Sequence, residues 1–169
     1  VPKYRGKPQA QKLMYMYCMT FYETRDYFTS NYQMEPMINC IILDDEPLAI
    51  KIIENFVKKT DFLNCIATFS NANDALPTLK KEKVDLMFLD INMPFIDGIS
   101  FLKNLENPPK TIITSAHSEY ALDGYDLNVV DYLMKPIPFE RFDLAVSKAY
   151  KLITIQRNEK SLDLDFVFV

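Results

Sequence analysis

The chain has 169 residues, of which 49% are hydrophobic and 25% are charged. This length suits one ordinary domain, and the composition supplies enough apolar material for a core and shows no sign of disorder. With only 3 glycines and 3 cysteines, the sequence is excluded from the collagen-like, glycine-rich and disulfide-framework classes. The formal net charge of −4 argues against a nucleic-acid-binding protein that depends on bulk positive charge.

The charge is uneven along the chain. Residues 1–36 contain five basic residues, three acidic residues and six of the ten tyrosines, so they carry +2 and residues 37–169 carry −6. This change predicts a boundary near Pro36 and Met37, with residues 1–36 as an N-terminal extension. The sequence leaves open whether the extension belongs to the native protein and packs on the domain, or is a segment upstream of a start at Met37.

The chain is expected to be cytoplasmic and not associated with a membrane. No run reaches the roughly 20 apolar residues that a membrane-spanning helix requires. Cys18, Cys40 and Cys65 are isolated from one another and lie among apolar neighbours. They are typical of reduced residues that fill a core, which favours a cytosolic protein.

From residue 38 onward, short apolar runs alternate with longer segments of helical periodicity. The predicted strands are residues 38–43, 63–69, 84–89, 111–114 and 129–134. The predicted helices are residues 47–59, 73–83, 98–105, 119–126 and 139–156. Strand followed by helix, five times over, predicts an α/β fold with an open, doubly wound parallel sheet and helices on both faces.

The end of the chain differs from the rest. Residues 157–161 are polar and are predicted to form a linker, and residues 162–169 alternate in hydrophobicity like the start of a new strand. We therefore expect one domain over residues 37–156. Residues 157–169 would be a linker and the first residues of a truncated output domain.

Acidic side chains follow two of the predicted strands. Asp44, Asp45 and Glu46 follow the first strand and Asp90 follows the third. In a strand order of 2-1-3-4-5 these two strands are neighbours, at the point where ligands bind in such sheets. Converging carboxylates repel one another unless a cation neutralises them, and Mg²⁺ prefers oxygen ligands of this kind. One carboxylate could then attack a phosphoryl group and form an acyl phosphate.

A cation and two hydroxyls are predicted at the same edge. Lys135 follows the fifth strand, and Thr114 and Ser115 end the fourth. An ammonium group there would offset the charge of a transferring phosphoryl group. Each residue alone has an ordinary explanation as a solvated or capping group, but together they favour a common site. His117, the one histidine, is expected to be exposed and without a chemical role.

Four motifs occur in order: LDDEP at 43–47, LDINMP at 89–94 followed by Asp97-Gly98, Ser115-Ala116, and DYLMKP at 131–136. Over residues 37–156 this pattern resembles the receiver domains of two-component response regulators. The resemblance implies a flavodoxin-like sheet in the order 2-1-3-4-5. It also implies a signalling switch that is not an enzyme, in which Asp90 accepts a phosphoryl group from a sensor histidine kinase.

The resemblance implies a Mg²⁺ site. Asp44, Asp45 and Asp90 would hold the metal together with the backbone carbonyl of Asn92, and Asp45 would be the more direct ligand of the acidic pair. Lys135 would contact the phosphoryl oxygens.

The resemblance implies a switch as well. Ser115 would be the switch hydroxyl because it precedes a small residue, Ala116, and Thr114 is the lesser candidate. Tyr132 would be the switch aromatic, and the peptide bond between Lys135 and Pro136 is expected to be cis.

Residues 117–132 resemble more specifically the subgroup whose output is a LytTR-type DNA-binding domain, and residues 165–169 resemble the first strand of that domain. Phosphorylation would shift the face formed by the fourth helix, the fifth strand and the fifth helix. That face would then form a homodimer or release the output domain. The protein would bind DNA, and regulate transcription, only through the C-terminal domain that this chain lacks.

Two other functions remain open. A pseudo-receiver would use the same fold as an interaction module without phosphorylation, but such chains commonly lose one of the acidic or lysine residues present here. A Mg²⁺-dependent phosphohydrolase of the haloacid-dehalogenase type also uses an aspartate nucleophile. It requires a second aspartate where Asn92 stands, and nothing in the chain is long enough to form its cap domain.

Overall fold

The computed structural model describes residues 36–117 and 129–165. These residues belong to the second of two units into which the chain divides, Val1–Glu35 and Pro36–Val169. The predicted helix at 119–126 and nearly all of the N-terminal extension lie outside the described residues. The domain limits at 37 and 156 therefore remain predictions.

Five strands form one parallel sheet in the order β2-β1-β3-β4-β5. This confirms the predicted doubly wound fold and its strand order. Strand boundaries differ from the prediction by one or two residues. The strands are β1 (Ile38–Leu43), β2 (Leu63–Phe69), β3 (Leu86–Asp90), β4 (Lys110–Ser115) and β5 (Asp131–Met134).

The described helices are α1 (Pro47–Val57), α2 (Ala72–Lys81), α3 (Gly98–Lys103) and α4 (Phe139–Asp165). Their starts follow local chemistry. Pro47 occupies the first turn of α1, where a missing amide hydrogen costs nothing. Asn71 and Asp97 cap α2 and α3, each accepting a hydrogen bond from a free amide of the first turn.

Helices cover both faces of the sheet. The first core cluster lies between the sheet and helices α1 and α4, where Phe88 stacks on Phe142 with ring centroids 5.4 Å apart. The second lies between the other face and helices α2 and α3, where Leu89 and Phe101 are buried. On α4, Ile153 is buried against this core, whereas its neighbour Leu152 is 41% exposed.

The last helix is longer than predicted. It continues to Asp165, so the predicted linker at 157–161 and the predicted start of a strand within 162–165 are both wrong. Residues 157–165 contain neither glycine nor proline, so their polar sequence holds no residue that breaks a helix. Arg157 holds this last part of α4 next to the sheet. Its guanidinium lies 2.7 Å from the carboxylate of Asp85, just before β3, and 3.3 Å from the carbonyl oxygen of Met37, just before β1. Residues 166–169 lie outside the described residues.

Within the described ranges, no helix is long and apolar enough to cross a membrane.

Candidate functional site

Three carboxylates meet at one edge of the sheet. Asp90 ends β3 and Asp44 directly follows β1, and the register pairs Leu43 with Leu89 just before them. Asp44 and Asp90 are buried, and Asp45 is half-buried. One carboxylate oxygen of each residue lies within 4.8 Å of those of the other two. The structure thus brings together the acidic residues that the sequence predicts at this edge.

Lys135 lies between two of these carboxylates. Its Nζ is 2.8 Å from Oδ1 of Asp90 and 2.9 Å from Oδ2 of Asp44, and Oε2 of Glu46 follows at 3.8 Å. The side chain of Lys135 is only 16% exposed, so these interactions are poorly screened by water. The position follows from the sheet, because the amide of Lys135 donates to the carbonyl of Ser115 at the end of β4.

Backbone amides orient both buried carboxylates. The amide of Glu46 donates to Oδ1 of Asp44 at 3.0 Å, and the amide of Asn92 donates to Oδ2 of Asp90 at 2.7 Å. Each carboxylate therefore has one oxygen on the backbone and the other on Lys135. The hydrogen bond places Asn92 beside Asp90. That the carbonyl of Asn92 is a metal ligand stays a prediction.

The ionisation of the site reflects burial and crowding. Burial raises the pKa of Asp44, with a further contribution from the Asp90 charge, and the hydrogen bonds from Lys135 and Glu46 only partly oppose this. Burial lowers the pKa of Lys135, but hydrogen bonds to Asp44 and Asp90 outweigh it and hold that pKa above its ordinary value. Lys135 therefore stays charged, and one ammonium faces an excess of carboxylates.

The donor set fits a hard divalent cation. Asp44, Asp45 and Asp90 offer only oxygen atoms, which Mg²⁺ prefers, and Mg²⁺ commonly binds through a few carboxylates while keeping several waters. In the described part of the chain, the Asp45 carboxylate forms neither a hydrogen bond nor an ion pair. It is therefore the carboxylate most available to a metal ion.

The two candidate hydroxyls differ in their contacts. Oγ of Ser115 accepts a hydrogen bond from the amide of His117 at 3.0 Å. Thr114 pairs with Asp90 in the β3–β4 register, and its buried Oγ1 has no hydrogen-bond partner among the described residues. Both hydroxyls are buried at the end of β4, as expected from the sequence. Their roles stay predictions.

Tyr132 and Ser115 are connected through one residue. The hydroxyl of Tyr132 donates to the carbonyl of His117, whose amide donates to Ser115. The proposed switch hydroxyl and switch aromatic thus share a backbone neighbour. The peptide bond between Lys135 and Pro136 is cis, as expected.

An ion pair that the sequence did not indicate supports the strand of Tyr132. Arg141 of α4 contacts Asp131 with two nitrogens, at 2.7 and 3.2 Å, and also donates to the carbonyl of Tyr132 at 3.2 Å. Oδ1 of Asp131 accepts from the amide of Tyr132. Asp131 and Arg141 are ten residues apart and belong to no shared motif, so no local pattern could pair them.

This ion pair predicts a pH dependence of stability. Burial raises the pKa of Asp131, but the hydrogen bonds from Arg141 and from the Tyr132 amide outweigh it and hold that pKa below its ordinary value. A lowered folded-state pKa adds stability that is present above the unfolded value, about 3.9, and is lost as pH falls through the folded value. We expect Asp131→Asn to lower the free energy of unfolding by about 1 kcal/mol at pH 7. Urea denaturation of both proteins should show this difference shrinking towards zero at acid pH, and a constant difference would contradict the assignment.

The loop after β3 holds two unusual backbone positions. Gly98 begins α3 against the backbone of β3, and a Cβ atom at this position would lie 2.2 Å from the carbonyl oxygen of Asp90. Phe95 has a φ of 73° and is 95% exposed. Positive φ is rare for an aromatic residue, so this loop keeps its shape at some conformational cost.

Comparisons with known proteins agree with this geometry. The family model described as the response regulator receiver domain matches residues 40–147. A response regulatory protein of Shewanella oneidensis is 36% identical over 122 residues, which are 71% of this chain and 52% of that protein. The sensory transduction protein LytR of Staphylococcus haemolyticus is 35% identical over 111 residues, which are 64% of this chain and 43% of that protein. The chain thus spans about half the length of these relatives.

A solved structure shows the same fold. The response regulatory domain of protein mrkE from Klebsiella pneumoniae superposes with a TM-score of 0.65 at 28% identity, covering 69% of this chain and 98% of that one.

Proposed function

Because this chain belongs to the response regulator receiver domain family of two-component systems, we propose that Asp90 is its phosphoryl acceptor and that a sensor histidine kinase is the donor. The observation that supports this most directly is the position of Lys135. Its ammonium contacts both Asp90 and Asp44, which places a fixed positive charge where negative charge accumulates during transfer.

The transfer step follows from these positions. A carboxylate oxygen of Asp90 attacks the phosphorus of a phosphohistidine, the phosphorus–nitrogen bond breaks, and the imidazole leaves with the bonding electron pair and takes up a proton. The Asn92 amide and Lys135 hold the Asp90 carboxylate in one orientation before attack. Lys135 then pairs with the phosphoryl oxygens.

Asp44, Asp45, Asp90 and the carbonyl of Asn92 would hold Mg²⁺. When bound, this ion offsets the charge that the carboxylates and the incoming phosphoryl group add together. The raised pKa of Asp44 supports such a need for a cation, because it reflects carboxylates that are buried close to one another.

Phosphorylation adds a dianionic group beside Ser115, and we expect the Ser115 hydroxyl to turn towards it. Ser115 would then give up its hydrogen bond from the His117 amide. Tyr132, held by the carbonyl of His117, would lose its present position and move into the space that Ser115 leaves. The change would spread to the face that includes β5 and α4, as a shift between two conformers.

The whole protein's output belongs to the proposal. Its curated relatives are about twice as long as the matched region, and one is a sensory transduction protein LytR. We propose that the switched face promotes a homodimer and controls a LytTR-type DNA-binding domain in the full-length protein. The protein would act in the cytoplasm, as a switch and not as an enzyme.

The proposal predicts the outcome of a phosphorylation assay. The purified chain, incubated with Mg²⁺ and acetyl phosphate, should gain the mass of one phosphoryl group. Asp90→Asn should gain none, because an amide cannot form the acyl phosphate. Asp143→Asn, a matched change at an exposed position of α4, should behave like the parent.

Failure of the parent to gain a phosphoryl group, with its fold intact and Mg²⁺ present, would contradict the proposal. Equal labelling of the Asp90→Asn variant would contradict the choice of acceptor. A folded protein that neither gains a phosphoryl group nor binds beryllofluoride would be a pseudo-receiver, which interacts with partners through its surface alone.

A further inference from the structure

Two cysteines lie opposite each other on neighbouring strands. The β1–β2 register pairs Cys40 with Cys65, and the strands shift register directly after this pair. Neighbouring strands are about 4.8 Å apart. That spacing falls within the Cα separations of disulfides, about 4.4–6.8 Å. Cys40 belongs to the first core cluster and Cys65 packs against that cluster, so both side chains project from the same face of the sheet.

The two thiols differ in exposure. Cys40 is fully buried on β1, and Cys65 is half-buried on the edge strand β2. Sγ of Cys65 donates to the carbonyl oxygen of Ala67 at 3.6 Å, and the interaction between the two thiols shifts the pKa of both. Solvent therefore reaches Cys65 more readily than Cys40.

The environment favours Cys65 as the reactive sulfur. The hydrogen bond from Cys40 lowers the pKa of Cys65, against burial and the Glu54 carboxylate, and the Lys58 ammonium helps to lower it. The same hydrogen bond raises the pKa of Cys40, and burial adds to this. The thiolate is the reactive form of cysteine, so these shifts direct oxidation to Cys65, the half-buried member of the pair.

We propose that Cys40 and Cys65 are a reversible oxidation site, at which a hydroperoxide drives formation of a disulfide between β1 and β2. The sulfur of Cys65 attacks the peroxide, the oxygen–oxygen bond breaks, and Cys65 becomes a sulfenic acid. The sulfur of Cys40 then attacks Cys65, the sulfur–sulfur bond forms, and water leaves. Overall, two thiols lose two electrons and two protons, and one hydrogen peroxide becomes two waters.

The position of the pair explains why such a bond would be reversible. Side chains in register on parallel strands start about as far apart as the strands, whereas bonded cysteines bring their Cβ atoms to about 3.8 Å. The irregularity after Cys40 allows some adjustment, but strain remains and makes a disulfide easier to reduce. Oxidation would fasten the edge strand to β1, the strand that leads to Asp44. This inference does not depend on phosphorylation of Asp90.

The test uses the full chain with Cys18→Ser, which leaves Cys40 and Cys65 as the only thiols. The protein is treated with one equivalent of hydrogen peroxide, denatured in N-ethylmaleimide and weighed by mass spectrometry. We expect a loss of two hydrogens and no maleimide adduct, with a peptide that joins the two cysteines. Dithiothreitol before the maleimide should restore two adducts.

Two variants separate the steps. With Cys40→Ala added, Cys65 should form a sulfenic acid that dimedone traps, with no disulfide inside the chain. With Cys65→Ala added, Cys40 should keep its maleimide adduct, because peroxide cannot reach it. Two maleimide adducts on the peroxide-treated parent would overturn the proposal, and so would a disulfide between two chains or over-oxidation of Cys65 with Cys40 still reduced.

Discussion

Replacing Gly98 with alanine is expected to lower the free energy of unfolding by about 3 kcal/mol. The added Cβ would lie 2.2 Å from the carbonyl oxygen of Asp90 and 3.1 Å from Cα of Ile91. Both are backbone atoms of the segment that carries the proposed acceptor, so no side-chain rotation relieves the clash. The amide of Gly98 also donates to the carbonyl of Ile91 at 2.8 Å, which holds the start of α3 against β3. Denaturation in urea measures the loss.

If Asp90 is the acceptor as proposed, the same substitution should slow its labelling by acetyl phosphate even in the fraction that stays folded, because the clash displaces the backbone of Asp90. Lys103→Ala, at an exposed position of the same helix, is the control, and it should change stability by less than about 0.5 kcal/mol. A Gly98→Ala protein as stable as the parent would contradict the close packing of α3 on β3.

Asp45→Asn is expected to weaken Mg²⁺ binding at least tenfold while leaving the fold intact. Asp45 is the half-buried member of the three carboxylates and forms no ion pair within the described residues, so its charge does little for stability. Its removal takes away one anionic oxygen ligand and relieves repulsion from Asp44 and Asp90. Titration with Mg²⁺, followed by chemical shifts of backbone amides around Asp90, gives the affinity.

Asp61→Asn provides the matched control, since it removes the same charge from an exposed turn distant from the site in the chain. It should bind Mg²⁺ like the parent. Urea denaturation without metal should show Asp45→Asn to be as stable as the parent or more so. Unchanged Mg²⁺ affinity in Asp45→Asn would contradict the assignment of this carboxylate as a ligand.

The acidic site could be predicted because it depends on two regular features of the chain. Apolar runs of strand length end at Asp44 and at Asp90, and the parallel arrangement brings the carboxyl ends of neighbouring strands to one edge. Lys135 follows the same rule at the end of β5. The contact of Lys135 with both aspartates then required only a parallel sheet in the expected strand order.

The remaining contacts depend on pairs that are distant in the chain. The Asp131–Arg141 pair joins β5 to α4, and the Cys40–Cys65 pair depends on a strand register. From the sequence, Cys40 and Cys65 are expected to be separate core residues, since nothing local shows that they face each other. The predicted end of α4 is wrong for another reason. The polar residues after residue 156 indicated a linker, but the helix continues, and Arg157 holds it in place through its ion pair with Asp85.

The most direct test of the central claim is to locate the phosphoryl group. The chain phosphorylated with acetyl phosphate and Mg²⁺ is treated with sodium borohydride, which reduces an aspartyl phosphate to homoserine, and its peptides are sequenced by mass spectrometry. We expect homoserine at position 90 and unchanged aspartates at positions 44 and 45. Homoserine at another position, or a phosphoryl group that borohydride leaves intact on a hydroxyl, would contradict it.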